Sequence, residues 1–85
     1  MADSAQDIFT FEKNSREEVR VAIEEFGGRK IINIRVFYRD EASGEMRPGK
    51  QGLALSLDRY RDLAAAVLWL GERLQKEGLL PGASA

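Results

Sequence analysis

Between residues 26 and 39 the chain places Phe26, Arg29, Lys30, Arg35, Phe37, Tyr38 and Arg39. Aromatic rings interleaved with cations suit one kind of chemistry, the capture of an unpaired nucleic-acid strand. Bases stack on Phe or Tyr faces for about 1–3 kcal/mol each while Arg and Lys follow the phosphates, and a duplex offers no such exposed base faces. Taken alone, the pattern also fits an ordinary sheet with aromatic core residues and a solvated basic face.

The other chemistries have less to work with. The 85 residues contain no histidine and no cysteine. The commonest general base and the thiol nucleophile are therefore missing, and any metal site would have to be built from oxygen. No enzyme activity, cofactor or metal is expected. Asp40, Glu41 and Glu45 could attract a hard cation but lack the ordered spacing of a calcium loop. Glu24 and Glu25 are adjacent, so on a strand they point to opposite faces and cannot cooperate. Gly27-Gly28 lies between two strand patterns, whereas a phosphate-cradling loop joins a strand to a helix.

A formal net charge of −1 conceals an uneven distribution. Residues 1–28 hold three basic and seven acidic side chains, residues 29–51 six and three, and residues 52–85 four of each, giving −4, +3 and 0. The basic side chains of the middle segment form a stripe compatible with a local anion-binding surface.

These residues must be positioned by strands. Val19, Val21 and Ile23 alternate with Arg20, Ala22 and Glu24, the period-two pattern of a half-buried strand that Phe26 closes. Gly27-Gly28 suits a two-residue hairpin turn. The stretch from Lys30 to Arg39, rich in β-branched and aromatic residues, predicts the next strand. Its core face is Ile32, Ile34 and Val36, and its outer face is Asn33, Arg35, Phe37 and Arg39. Ile8–Phe11 could pair at a sheet edge. Residues 40–44 read as a loop, 45–47 as a short strand, Pro48-Gly49 as the centre of a type II turn, and Leu53–Leu55 as the fourth strand of a meander.

Ser56 is positioned to cap a helix with Asp58 in its first turn. Leu57, Tyr60, Leu63, Ala64, Val67, Leu68, Leu70 and Leu74 form an apolar stripe wide enough for a core-facing helix. Gly78 is a natural terminator, and Gly71 within the stripe permits a close approach. Trp69 projects away from the stripe, beside Ala65 and Ala66. A chain this short buries only roughly 60% of the surface it exposes when unfolded, so oligomerisation is the expected source of additional stability. Trp69, Ala65 and Ala66 are the expected homodimer contact.

Phe26-Gly-Gly-Arg29, Ile32-Asn-Ile-Arg35-Val-Phe-Tyr38, Gly44-Glu-Met-Arg-Pro-Gly-Lys-Gln-Gly52-Leu-Ala-Leu55, Tyr60 and Leu63 together resemble the positive cofactor four family of transcriptional coactivators. The resemblance implies an α+β fold, ββββα: a four-stranded, curved antiparallel sheet followed by one C-terminal helix, homodimeric, with grooves for single-stranded or melted DNA. It further implies Phe26 and Tyr38 as stacking aromatics, and Arg29, Arg35, Arg47 and Lys50 as phosphate contacts. Tyr38 stands where better-known members have tryptophan, Gly27 where they have lysine, and Gln51 where they have another basic residue. Fewer charges predict weaker binding with a shallower salt dependence. Regular strand parity sets Arg35 and Tyr38 on opposite faces, which leaves Phe37 as a competitor for the groove unless a bulge, curvature or a second subunit reconciles them.

The expected organisation is a polar N-terminal segment over 1–15, disordered in part, a binding domain over 16–80, and a tail over 81–85. The expected function is single-stranded-DNA binding with little sequence preference, in transcription regulation, replication or repair. Alternatives are a dimeric protein-binding adapter, partnering transcription or replication proteins, and a single-stranded-RNA binder. The acidic start has no apolar leader and no run reaches the ~20 residues of a membrane span, which points to the cytoplasm. Without a Ser- or Lys-rich arm, the chain reads as a bacterial or phage member acting at the nucleoid.

Overall fold

The computed structural model describes residues 7–81. The expected disorder of the first residues, and most of the expected tail, therefore lie outside the described residues. Four antiparallel strands, β1 (Ile8–Glu12), β2 (Glu17–Phe26), β3 (Arg29–Arg39) and β4 (Met46–Ser56), lie side by side in sequence order. A 3-10 turn, Leu57–Arg59, leads into helix α1 (Tyr60–Lys76). The sheet begins at Ile8, because β1 pairs with β2 from Ile8 opposite Ala22 to Glu12 opposite Glu18.

The β2–β3 hairpin follows directly from its two glycines. Phe26 pairs with Arg29, and Gly27 and Gly28 adopt φ of 62° and 80°. Two successive positive φ values make the primed turn whose twist matches the flanking strands. Pairing then runs without interruption from Phe26 opposite Arg29 to Glu17 opposite Tyr38. At the other end of β2, Asn14 Oδ1 accepts from the backbone N–H groups of Arg16 and Glu17 at 2.9 and 2.8 Å, which turns the chain out of β1.

Two local readings are corrected on the C-terminal side. Pro48-Gly49 is not a turn, and the stretches at 45–47 and 53–55 are not separate strands: β4 runs continuously from Met46 to Ser56, leaving Glu45 outside it. Pro48 sits opposite Phe37. A proline is tolerated there because β4 is an edge strand, with no further neighbour among the described residues to need its missing N–H. Ser56 does not cap the helix either. It ends β4, its hydroxyl donates to Asp58 Oδ1, and it makes no side-chain capping bond. Gly78 does terminate α1. Its φ is 71°, Gly78 N donates to Gln75 O, and Leu79 N donates to Leu74 O at 2.7 Å, the paired bonds of a Schellman motif.

Strand parity sorts the sheet into two faces. One carries Phe9, Phe11, Val19, Val21, Ile23, Ile32, Ile34, Val36, Leu53 and Leu55; the other carries Arg20, Phe26, Arg29, Asn33, Arg35 and Phe37. The apolar face is only thinly covered. Ile32 is the one buried hydrophobic residue among those described. The helical stripe, expected to face the chain's own core, is half-buried only at Leu63, Gly71 and Leu74, while Val67 and Leu68 remain 60% and 65% exposed. A Cβ at Gly71 would meet nothing within 4 Å, so this chain alone makes no close approach there. Among the described residues no helix is long and apolar enough to cross a membrane.

Candidate nucleic-acid interface

Five of the six residues implied by the resemblance divide into two groups, and the sixth, Lys50, lies within β4. Phe26, 76% exposed, and Arg29 stand at the hairpin tip on the polar face, and Arg35 shares that face about 20 Å further along the ladder. Tyr38 and Arg47 are cross-strand partners on the opposite face, at the far end of β3. The parity conflict in the sequence is therefore real.

A bulge in β4 lies between the partners of Arg35 and those of Tyr38. Arg35 pairs with Gly52 and Phe37 with Pro48, so three residues of β4, Gly49, Lys50 and Gln51, oppose Val36 alone. The additional residues are on β4, so β3 keeps its alternation and Tyr38 does not rotate onto the face of Arg35. Gly49 instead lies near both side chains. Arg35 Nη1 donates to Gly49 O at 3.1 Å, and a Cβ at Gly49 would lie 3.7 Å from Tyr38 Cδ1. Lys50 lines a 270 Å³ cleft with Val36, Tyr38, Gly49 and Gln51, and Lys13 and Glu17 close it. Arg35, Tyr38 and Lys50 thus converge on the bulge, while Phe26 and Arg29 stand apart at the hairpin.

Arg35 lies flat across β4 because position 52 is glycine. A Cβ there would stand 2.7 Å from Arg35 Cζ. Arg47 is held differently: its Nε donates to Asp40 Oδ2 at 2.8 Å. Asp40 also accepts from Ser43 Oγ and from the Ala42 N–H, so it organises the β3–β4 loop. The Arg47 guanidinium, with smaller contributions from those two donors, holds the Asp40 carboxyl below its ordinary pKa. In the same loop Arg39 Nη1 donates to Gly44 O.

Sequence reasoning left two participants on the polar face without a role. Arg20 is the cross-strand partner of Arg35, and its guanidinium carbon stands 4.1 Å from the centre of the Phe37 ring. Glu18 Oε2 accepts from Arg20 Nε. The shared parity of Arg20 and Phe37 was available in the sequence, but the stack between them was not. Asn33 gives its Nδ2 to Glu24 Oε1 at 3.0 Å, which leaves its enclosed Oδ1 without a donor among the described residues.

A sequence model of the family described as Transcriptional Coactivator p15 (PC4) matches residues 13–66, which span β2, β3, β4 and the first part of α1. The chain belongs to the PC4 family. Among its relatives is the RNA polymerase II transcriptional coactivator SUB1 of Saccharomyces cerevisiae, 41% identical over 76 residues, 88% of this chain and 25% of that protein. The RNA polymerase II transcriptional coactivator of Drosophila melanogaster is 46% identical over 44 residues, 52% of this chain and 38% of its own length. This PC4-family chain therefore spans well under half of the curated relatives it matches.

Solved structures agree on the fold. The PC4 homologue of Burkholderia pseudomallei superposes with a TM-score of 0.67 at 17% identity, over 74% of this chain and 84% of that one. The MoSub1–DNA complex gives 0.61 at 32% identity, over 92% and 94%. The bacteriophage T5 homologue, implicated in recombination-dependent DNA replication, gives 0.59 at 21% identity, over 87% and 84%. PC4-family relatives thus occur in eukaryotes, a bacterium and a phage.

Proposed function

We propose that this PC4-family chain binds single-stranded DNA with little sequence preference and stabilises melted DNA, without catalysis. The observation that carries the reading is the convergence of Arg35, Tyr38 and Lys50 on the β4 bulge, which supplies an aromatic ring and two cations along one sheet edge. Stacking of bases on Tyr38, and on Phe26 at the hairpin, would select unpaired strands, while Arg29, Arg35, Arg47 and Lys50 follow the backbone. The likeness to a Sub1–DNA complex at 32% identity supports the same ligand class.

The reading extends to a homodimer. Trp69 is 60% exposed on the side of α1 away from the apolar stripe, and the stripe itself is also uncovered. A helix apolar on both sides, above a sheet with one buried hydrophobic residue, is the surface of a chain that packs against a copy of itself. Trp69, Ala65 and Ala66 are its proposed contact. The site of action is a compartment that holds DNA, in transcription, replication or repair.

Binding of a labelled oligo-thymidine strand, followed by anisotropy, tests this reading. The wild type is expected to bind, and the Arg35→Ala and Tyr38→Ala variants to bind at least several-fold more weakly. Unchanged anisotropy at low salt overturns the reading and favours a protein-binding adapter. Matched DNA and RNA strands in competition determine which sugar is preferred.

A further inference from the structure

Arg20 and Arg35 face each other across the β2–β3 ladder on the same side of the sheet. Like charges directly opposite in an antiparallel pair destabilise it. The two guanidiniums are held by separate partners. Arg20 is fixed over Phe37 with its Nε on Glu18, and Arg35 is fixed over Gly52 with one Nη on Gly49 O. Both line one cleft of about 180 Å³, with Phe37 at one side and Ala22 and Asn33 beneath. Glu24 also lines the cleft, and its Oε1 is engaged by the Asn33 amide.

We propose that Arg20 and Arg35 form a two-guanidinium clamp for a backbone phosphate of the bound strand, with Phe37 acting as a positioning residue beneath Arg20. The proposal rests on the single-strand reading above and adds Arg20, which the family resemblance does not supply. Arg20 uses its Nε on Glu18 and Arg35 one Nη on Gly49, so each retains N–H donors for phosphate oxygens. A phosphate between them converts a repulsive cross-strand pair into two charge-assisted contacts. The Arg20 plane, already stacked on an aromatic ring, also offers its outer face to a neighbouring base.

Salt-dependent titration of a labelled oligo-thymidine strand tests the clamp on the intact protein. Arg20→Gln is expected to weaken binding about tenfold. It should also lower the slope of log K against log salt by about 0.7, the value for one phosphate fewer neutralised on a single strand. Arg20→Lys keeps the charge and should keep the slope while losing affinity, and Arg61→Gln on the helix should change neither. The Arg20→Gln/Arg35→Gln double variant should lose less than the product of the two single losses, because either change opens the same clamp. Wild-type affinity and slope in a folded Arg20→Gln variant, or equal losses in Arg20→Gln and Arg20→Lys with no change of slope, would overturn the clamp and leave the single-strand reading intact. Failure of the wild type to bind the strand overturns both.

Discussion

At position 52 any side chain would begin 2.7 Å from the guanidinium carbon of Arg35, so the placement of this cation depends on a glycine. The group that must yield is the far end of a flexible side chain, not backbone. Gly52→Ala should therefore leave the melting temperature nearly unchanged while lifting Arg35 off β4, and single-strand affinity should fall about five- to tenfold. Equal affinity in a folded variant would show that the flat placement of Arg35 is irrelevant. Arg47 is restrained by charge instead. Its folded partner Asp40 titrates below the ordinary carboxylate range, so the stability it contributes is present above the unfolded pKa and is lost as pH falls through the depressed folded value. The β3–β4 loop should accordingly hold its amide shifts at neutral pH and loosen only below about pH 4. Asp40→Asn, which frees Arg47 and removes a negative charge, should raise low-salt affinity by about threefold, the scale of an exposed ion pair. Weaker binding would mean that Asp40 is needed to present Arg47.

The hairpin between β2 and β3 sets the register of the interface residues on those two strands. Gly28→Ala forces a side chain into φ of 80° and should cost about 1–2 kcal/mol in denaturant unfolding. That cost is one of backbone conformation alone, because the added Cβ would meet no atom within 4 Å. An unchanged midpoint would contradict the primed turn. This hairpin was legible in the sequence because both its signals are local: alternation in Val19–Ile23 and in Ile32–Val36, and two glycines between the strands. The course of β4 was not. Pro48-Gly49 carries the residue types of a turn, and only pairing to β3, where Phe37 meets Pro48, shows that the pair lies within an edge strand at a bulge. The same long-range fact governs the site. The residue types and strand parity of Arg35 and Tyr38 could be read from the sequence, but their common proximity to Gly49 depends on two additional residues in a strand whose register no local pattern fixes. Ser56 illustrates a smaller failure, because its hydroxyl is bound to Asp58 and does not cap the helix.

Among the described residues, large apolar side chains are exposed on both the sheet and the helix. Phe9 and Ile23 on the sheet are 69% and 63% exposed, and Val67, Leu68 and Trp69 surround α1 at 60% or more. The chain should sediment at twice its 9.5 kDa mass, with a melting temperature that rises with concentration. Trp69→Glu should abolish the dimer and most of the folded signal, since a single copy retains only Ile32 as buried core among the described residues. A wild type that remains folded at 9.5 kDa would contradict the dimer.

Dimerisation would also present the two sheet edges, each with an Arg35–Tyr38–Lys50 cluster, to one nucleic acid. The most direct test is a salt-dependent titration of the protein, its mass in solution verified, with a single strand and the matched duplex. The single strand should bind much more tightly at every salt concentration, with an affinity that falls as salt rises. Equal affinity for strand and duplex, or an affinity indifferent to salt, would contradict it.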